Sequence, residues 1–256
     1  MKNFYKKFKE ANPKFSGIKL LFIIALFVFA IGNTFRSFEF SIDYIIVFAA
    51  FIIAAVSHEV AHGYAAYLFG DDTAKKAGRL SFNPLKHIDL QGLLLPVLLL
   101  LCGVKFLIGW AKPVPVNFDR LRPYRTGFFV VSVAGIFVNF VLASVSLIIL
   151  RTFFSDSYHI FYEDIMVRGD LLHEIVVKFF IYFFFINVLL GVFNLIPVTP
   201  LDGGRIVYSF APKPVKDFYD RIEKYGILIV FALLWAGLFS NIFEKVFDFL
   251  IKLLGG

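Results

Sequence analysis

Cysteine is almost absent from this chain, which has one, Cys102, among 256 residues. A single cysteine cannot form an internal disulfide framework or supply a cysteine-based zinc site. Charged residues are also scarce: they make up 18% of the chain, against about 25% in soluble domains. The net charge of +7 comes from basic residues at the ends of apolar segments. They form no stripe interleaved with aromatic residues, so nucleic acid is not an expected partner.

Apolar residues are abundant in this chain. They account for 59% of the sequence, and phenylalanine alone occurs 35 times. Long apolar runs lie near 18–35, 42–69, 90–110, 127–150, 174–197 and 226–243. Because a membrane-spanning helix needs about 20 residues, we predict an all-α polytopic protein of the cell membrane with about five to six transmembrane helices.

The first run, 18–35, follows a lysine-rich N-terminus and contains Ala30-Ile31-Gly32, a weak small-residue cleavage site. A secretory signal has these features. The chain downstream is also membrane-embedded, however, which favours an uncleaved first helix.

Basic loops orient the runs, because they stay in the cytosol. The N-terminus and the stretches 75–86 and 112–125 are basic, so both flanks of the run at 90–110 are expected on the cytosolic side. We therefore predict a re-entrant or β-hairpin segment near 90–116. The alternative is a short, kinked helix that crosses the membrane.

The later runs then alternate in direction. The loop 151–173, which is rich in acidic residues, is expected outside. The basic stretch 205–224 is expected in the cytosol. The tail 244–256 has the pattern of an amphipathic helix.

One polar motif, His58-Glu59-Val60-Ala61-His62, interrupts the second run. Its two histidines lie one helical turn apart on the same face, so both can bind a single Zn²⁺. The glutamate between them is the usual general base of a metalloprotease. Incidental polar residues are the alternative, but ionisable groups at membrane depth cost about 2.5–3.5 kcal/mol each. The motif therefore predicts peptide-bond hydrolysis within or at the edge of a bilayer.

A second polar cluster, from Asn194 to Gly204, ends the fifth run, where two prolines break the helix. Catalytic zinc takes three protein ligands and keeps one position for water. Asp202 is therefore the expected third ligand beside His58 and His62, because both motifs fall near the cytosolic ends of their runs, at the same depth. The alternative for Asp202 is a helix cap at an interfacial turn.

Gly135 and Asn139 form a third element, within the run at 127–150. Gly135 allows close helix contact, and the Asn139 amide must find a polar partner in lipid. Two interpretations remain open for Asn139. It packs one helix against another, or it donates to the substrate strand or the oxyanion.

These motifs resemble those of the site-2 protease family of intramembrane zinc metalloproteases, peptidase family M50. The residues 58–62, 135–139 and 194–203 look like the family's H-E-x-x-H, G-x-x-x-N and N-x-x-P…L-D-G elements in the usual order. The resemblance covers about 42–210. It implies one Zn²⁺ per chain, with His58, His62 and Asp202 as metal ligands and Glu59 as the base. From their places in the second and third motifs, we also predict Asn139 and Asn194 as substrate-binding residues.

The resemblance also implies a substrate and a domain organisation. A single-span membrane protein would be cut in or near its transmembrane segment, in regulated intramembrane proteolysis. A spanning helix hides its carbonyls in hydrogen bonds, so we separately predict that the substrate unwinds locally and adds to a strand edge in 90–116. We expect one integral membrane domain over 1–256, of the compact prokaryotic type without PDZ or CBS domains.

Two other functions stay open. The first is an inactive membrane scaffold, which the intact motifs disfavour. The second is an ion transporter with intramembrane metal ligands. A transporter would predict two matching halves with broken spans, and the sequence shows no such repeat.

Overall fold

The computed structural model describes residues 41–87, 113–161 and 164–255, and the elements are numbered over these residues. Helix α1 (Ile42–Leu68) begins where the Ser41 hydroxyl accepts the N–H of Asp43 at 3.2 Å. Such an N-cap satisfies one of the amides that have no partner within the helix. With 27 residues, α1 is about 40 Å long, which is enough to cross a bilayer.

Short elements lead from α1 to the next long helix. Helix α2 (Thr73–Lys76) and the 3-10 turns Pro84–Lys86 and Phe118–Arg120 follow in that order. Between the two turns, the structure describes residues 113–116, which belong to no helix or strand. The predicted first helix at 18–35 lies outside the described residues, and so does the segment near 90–116 except for these four residues.

Two further long helices complete the central bundle. Helix α3 (Tyr124–Phe153) follows Pro123. Helix α4 (Leu171–Asn194) begins at Asp170, whose carboxylate accepts the N–H of His173 at 2.8 Å. Over the described residues, α1, α3 and α4 are long and apolar enough to cross a membrane. These spans confirm the all-α membrane fold.

The three long helices pack against one another along their lengths. Ala50 and Ala54 of α1 are fully buried in a cluster with Phe183 of α4. Small side chains let two helix backbones approach closely, which is how helices associate in lipid. A separate cluster of Ala66, Leu121 and neighbouring residues forms where α1 ends and α3 begins.

A small hairpin connects α3 to α4. Strands β1 (Tyr158–Phe161) and β2 (Asp164–Val167) are antiparallel, with Tyr158 opposite Val167 and Ile160 opposite Ile165. The sequence analysis predicted only a loop here. The buried Tyr158 ring joins the apolar cluster at this end of the bundle, which explains why the loop is ordered as a hairpin.

The C-terminal part differs from the expected single span at 226–243. After α5 (Asp202–Phe210) and α6 (Lys213–Ile222), helix α7 (Gly226–Trp235) is followed by α8 (Ser240–Leu254). Gly237 has a φ of +68°, a left-handed conformation that ends helices.

Residues Leu228–Trp235 of α7 and helix α8 are bent by 75° and make at most one broken span. Leu250 and Leu254 of α8 pack into the cluster with Tyr158. The expected total of five to six spans stays a prediction, because two of the six runs lie outside the described residues.

Candidate metal centre

Three ligand atoms from two distant parts of the chain meet at one point. The Nε2 atoms of His58 and His62 are 3.0 Å apart, and Asp202 Oδ2 lies 3.1 Å from each of them. All three side chains are buried. His58 precedes the end of α1 by ten residues, so the triangle lies about 15 Å inside that end of the helix.

The Nδ1 atom of each imidazole forms a hydrogen bond with an acceptor on the neighbouring helix α3. His62 Nδ1 is 2.6 Å from the carbonyl oxygen of Val131, and His58 Nδ1 is 2.6 Å from Asn139 Oδ1. A carbonyl oxygen can only accept, so the Nδ1 atom of His62 must carry the proton. In the neutral ring, the Nε2 lone pair then faces the centre, as metal binding requires.

Gly135 explains how α3 comes so close to the two histidines. A Cβ atom at this position would lie 2.5 Å from the imidazole atoms His58 Cε1 and His62 Nε2. Asn139 lies one turn further along the same face. In this pattern, Gly135 therefore allows α3 to approach the histidines closely, and Asn139 forms a hydrogen bond with His58.

Asp202 reaches the triangle because it opens helix α5. The two glycines that follow it lie against the backbone of the preceding turn: a Cβ on Gly203 would meet the carbonyls of Leu195 and Ile196, and a Cβ on Gly204 would lie 2.6 Å from Thr199 N. Asp202 is buried, and burial opposes ionisation of its carboxyl unless a positive charge lies beside it. A metal ligand at this position must be the ionised carboxylate.

Glu59 is positioned by the segment 113–116. The backbone N–H of Val114 donates to Glu59 Oε2 at 2.8 Å. The same segment lies tightly against α1, because a Cβ on Gly63 would be 2.8 Å from Val114 Cγ1. The segment 113–116 thus lies beside the histidine motif and binds its glutamate.

The two predicted substrate-binding residues have different surroundings. Asn139 is fully buried, and its Nδ2 donates to Asn187 Oδ1 at 2.8 Å. Both ends of its amide are therefore engaged by protein groups. Asn194 is partly buried at the end of α4 and donates to the Leu190 carbonyl at 3.0 Å.

The sequence analysis missed Asn187. It lies in the apolar run at 174–197 and is fully buried. Its spacing was a usable signal, because it precedes Asn194 by seven residues, close to two helical turns. A second amide on the same face of a membrane helix needs a partner just as Asn139 does.

The donor set fits Zn²⁺. Two imidazoles and a carboxylate are ligands that zinc takes, with bonds of roughly 2.0–2.2 Å, so tetrahedral ligands lie about 3.3 Å apart. The separations of 3.0–3.1 Å among the three atoms are close to that value. Asp202 Oδ2 is buried with no hydrogen-bond donor from the described residues. When both imidazoles are neutral, a cation such as Zn²⁺ at this point satisfies all three electron-rich atoms.

Comparison with known proteins gives a consistent result. The sequence model of peptidase family M50 matches residues 45–237. A protein of Bacillus subtilis (strain 168) named as the zinc metalloprotease YwhC is 36% identical over 182 residues, which cover 71% of this chain and 76% of the relative.

More distant relatives carry similar names. A protein of Mycolicibacterium smegmatis named as the zinc metalloprotease Rip2 is 27% identical over 90% of this chain and 85% of its own length. A zinc metalloprotease of Methanocaldococcus jannaschii is 26% identical over 76% of this chain and 41% of its own length. No solved structure gives a significant match.

Proposed function

Because this chain belongs to peptidase family M50 and is an intramembrane zinc metalloprotease, we propose that His58, His62 and Asp202 hold its Zn²⁺ and that Glu59 is the general base. One observation carries this assignment: the three ligand atoms lie within 3.0–3.1 Å of one another at a buried point. The expected alternative for Asp202, a helix cap, does not require such convergence.

The proposed chemistry divides between the metal and the protein. Zn²⁺, when bound, lowers the pKa of its water to about 7 and polarises the scissile carbonyl. Glu59 would accept a proton from the attacking water and return it to the leaving amine. The N–H of Val114 holds one oxygen of the Glu59 carboxylate at 2.8 Å, so the second oxygen is the candidate for the transfer.

We further propose that the substrate is a single-span membrane protein. The depth of the ligand triangle, about 15 Å inside one end of α1, supports a scissile bond within or near a transmembrane segment. A substrate helix hides its carbonyls in hydrogen bonds and must unwind locally before it can reach the metal. Asn194 is the proposed substrate contact at the end of α4. For Asn139, whose amide is already engaged, we propose orientation of His58 instead of substrate binding.

The proposed membrane orientation places the active-site end in the cytosol. The basic stretches 75–86 and 205–224 support it. The test uses Cys102→Ser chains that carry either Lys75→Cys or Ser155→Cys, both at exposed positions. An impermeant thiol reagent should label the second cysteine in intact cells and the first in inverted vesicles. The reverse pattern would exclude the orientation.

The extent of the domain is also a proposal. We propose a single membrane domain with a catalytic core at about 42–210, and the family match over 45–237 supports it.

The deciding experiment replaces one carboxylate. Glu59→Gln should retain zinc but lose proteolysis by at least about 100-fold, because general acid–base catalysis contributes about 10²–10⁴. Comparative proteomics of membrane fractions from cells with wild-type or Glu59→Gln protein identifies the substrate fragments. Glu174→Gln is the matched control, since that carboxylate pairs with Lys178 instead of the metal centre. If fragments form equally with Glu59→Gln, the proposed base is wrong; if no fragment depends on the wild-type protein, an inactive scaffold is favoured.

A further inference from the structure

Two buried asparagines connect His58 to the backbone of α4. Asn139 of α3 and Asn187 of α4 are both fully buried. Asn139 Oδ1 lies 2.6 Å from His58 Nδ1, and Asn139 Nδ2 donates to Asn187 Oδ1 at 2.8 Å. Asn187 Nδ2 donates in turn to the carbonyl of Phe183 at 2.8 Å. The hydrogen bonds therefore run without a break from a backbone carbonyl to an imidazole.

The donor and the acceptor of each hydrogen bond in this series follow from the bond to the Phe183 carbonyl. The Phe183 carbonyl can only accept, so the end of the Asn187 amide that faces it must be the NH₂ group. The oxygen of Asn187 then faces Asn139, which must present its own NH₂ group in return. The oxygen of Asn139 is left for His58, whose Nδ1 must be the donor.

We propose that Asn187 is a positioning residue that acts through Asn139 to hold His58 with its proton on Nδ1 and its Nε2 lone pair toward the metal. His62 provides the comparison, because its Nδ1 bonds directly to the Val131 carbonyl. Both imidazoles are thus anchored to a backbone carbonyl, His62 directly and His58 through two side chains. This inference rests on the proposed function in one respect, the assignment of His58 as a zinc ligand.

Replacement of Asn187 would leave the Asn139 amide free to change its orientation. Without the acceptor of Asn187, the buried NH₂ group of Asn139 has lost its partner, and an unpaired buried donor is costly. The amide can then turn over and present its NH₂ group to His58. That arrangement requires a bare Nδ1 and moves the imidazole proton to Nε2, which can no longer bind zinc.

The test measures zinc affinity on purified full-length protein by competition with a chelator of known affinity. Asn187→Leu removes the amide at nearly constant volume and should weaken zinc binding by about 10- to 100-fold, the usual effect of a residue that orients a metal ligand. Asn139→Leu should weaken it at least as much. The double variant should bind zinc no more weakly than Asn139→Leu alone, because Asn187 acts only through Asn139.

The control removes a comparable bond between the same helices. Ser146 of α3 is buried and donates to the Phe180 carbonyl of α4 at 2.7 Å, away from the metal ligands. Ser146→Ala should lower the melting temperature but leave zinc affinity and the visible absorption of the Co²⁺-substituted protein unchanged. Asn187→Leu should alter that absorption. If leucine disrupts folding, Asn187→Ala takes its place.

Two outcomes would overturn the inference. One is wild-type zinc affinity in a folded Asn187 variant, and the other is an Asn187 effect that adds in full to that of Asn139→Leu. His58→Ala separates this failure from failure of the proposed function. If His58→Ala retains wild-type zinc affinity, the ligand assignment itself is wrong. If it abolishes zinc binding while Asn187→Leu has no effect, only the present inference is wrong.

Discussion

Gly135 is the residue at which helix packing and the metal centre depend on each other. A Cβ there would lie 2.5 Å from atoms of both histidines, closer than real Cβ contacts. We predict that Gly135→Ala weakens zinc binding by about 5- to 150-fold, which corresponds to the roughly 1–3 kcal/mol that overpacking costs. Chelator competition on the purified protein measures this change.

A second glycine supplies the control for this prediction. A Cβ on Gly191 of α4 would lie 2.9 Å from the ring of Phe140, which is not a metal ligand. Gly191→Ala should therefore lower the melting temperature without a matching loss of zinc affinity. Equal losses of zinc affinity in the two variants would show that general helix displacement, not contact with the imidazoles, is responsible.

Some residues of this site could be predicted from the sequence, and one could not. The convergence of His58, His62 and Asp202 was predictable, because a spacing of four and a missing third ligand are properties of the chain itself. Asn187 was not assigned. Its spacing from Asn194 indicates that it needs a polar partner, but its role depends on which helix lies opposite it, and the sequence does not carry that information.

At the scale of elements, the segment 113–117 is fixed to the rest of the protein by one buried carboxylate. Asp71 is fully buried and accepts the N–H of Asn117 at 2.7 Å and that of Thr73 at 3.1 Å. It also accepts the hydroxyl of Thr73. The segment held in this way delivers the N–H of Val114 to Glu59.

We predict that Asp71→Ala impairs catalysis while zinc remains bound. Loss of a charged acceptor should destabilise the fold by about 1.5–3 kcal/mol. The freed segment should lower kcat by about 10- to 100-fold, because small misplacements of a catalytic group have effects of that size. Thermal melting, metal analysis and cleavage of an identified substrate measure the three quantities.

The neighbouring Asp72 is the matched control. Its side chain is 39% exposed and pairs with Lys76 and Arg120 at the surface, where ion pairs add little to stability. Asp72→Ala should leave kcat near the wild-type value. If Asp71→Ala lost its bound zinc, the expectation that Asp71 holds the segment 113–117 without affecting the metal ligands would be wrong.

The elements themselves were predictable to different degrees. The runs at 42–69, 127–150 and 174–197 became α1, α3 and α4 with small shifts at their ends, because about 20 apolar residues have few alternatives to a spanning helix. The division of the last run between α7 and α8 depends on Gly237, and one glycine in an apolar run does not by itself predict a break.

At the scale of the whole molecule, polar groups hold both ends of the bundle. At one end, Lys178 of α4 lies 3.0 Å from Asp43 of α1 and 2.8 Å from Glu174. Toward the other end, Asp202 and the two histidines connect α1 to α5. The helices between them pack through apolar contacts that require no metal. The two ends should therefore respond differently when the metal is removed.

We predict that zinc removal loosens one end of the molecule and spares the other. Zinc at 100 times its dissociation constant stabilises the fold by about 2.7 kcal/mol, so a chelator should lower the melting temperature. Without the cation, three electron-rich atoms face one another at 3.0–3.1 Å, which favours separation of α5 from α1. Amide hydrogen exchange should then accelerate in 195–210, while α8 and the Tyr158 cluster keep their protection. Asp202→Ala should exchange at the same rate with and without chelator, whereas uniform acceleration along the chain would mean that the metal supports the whole bundle.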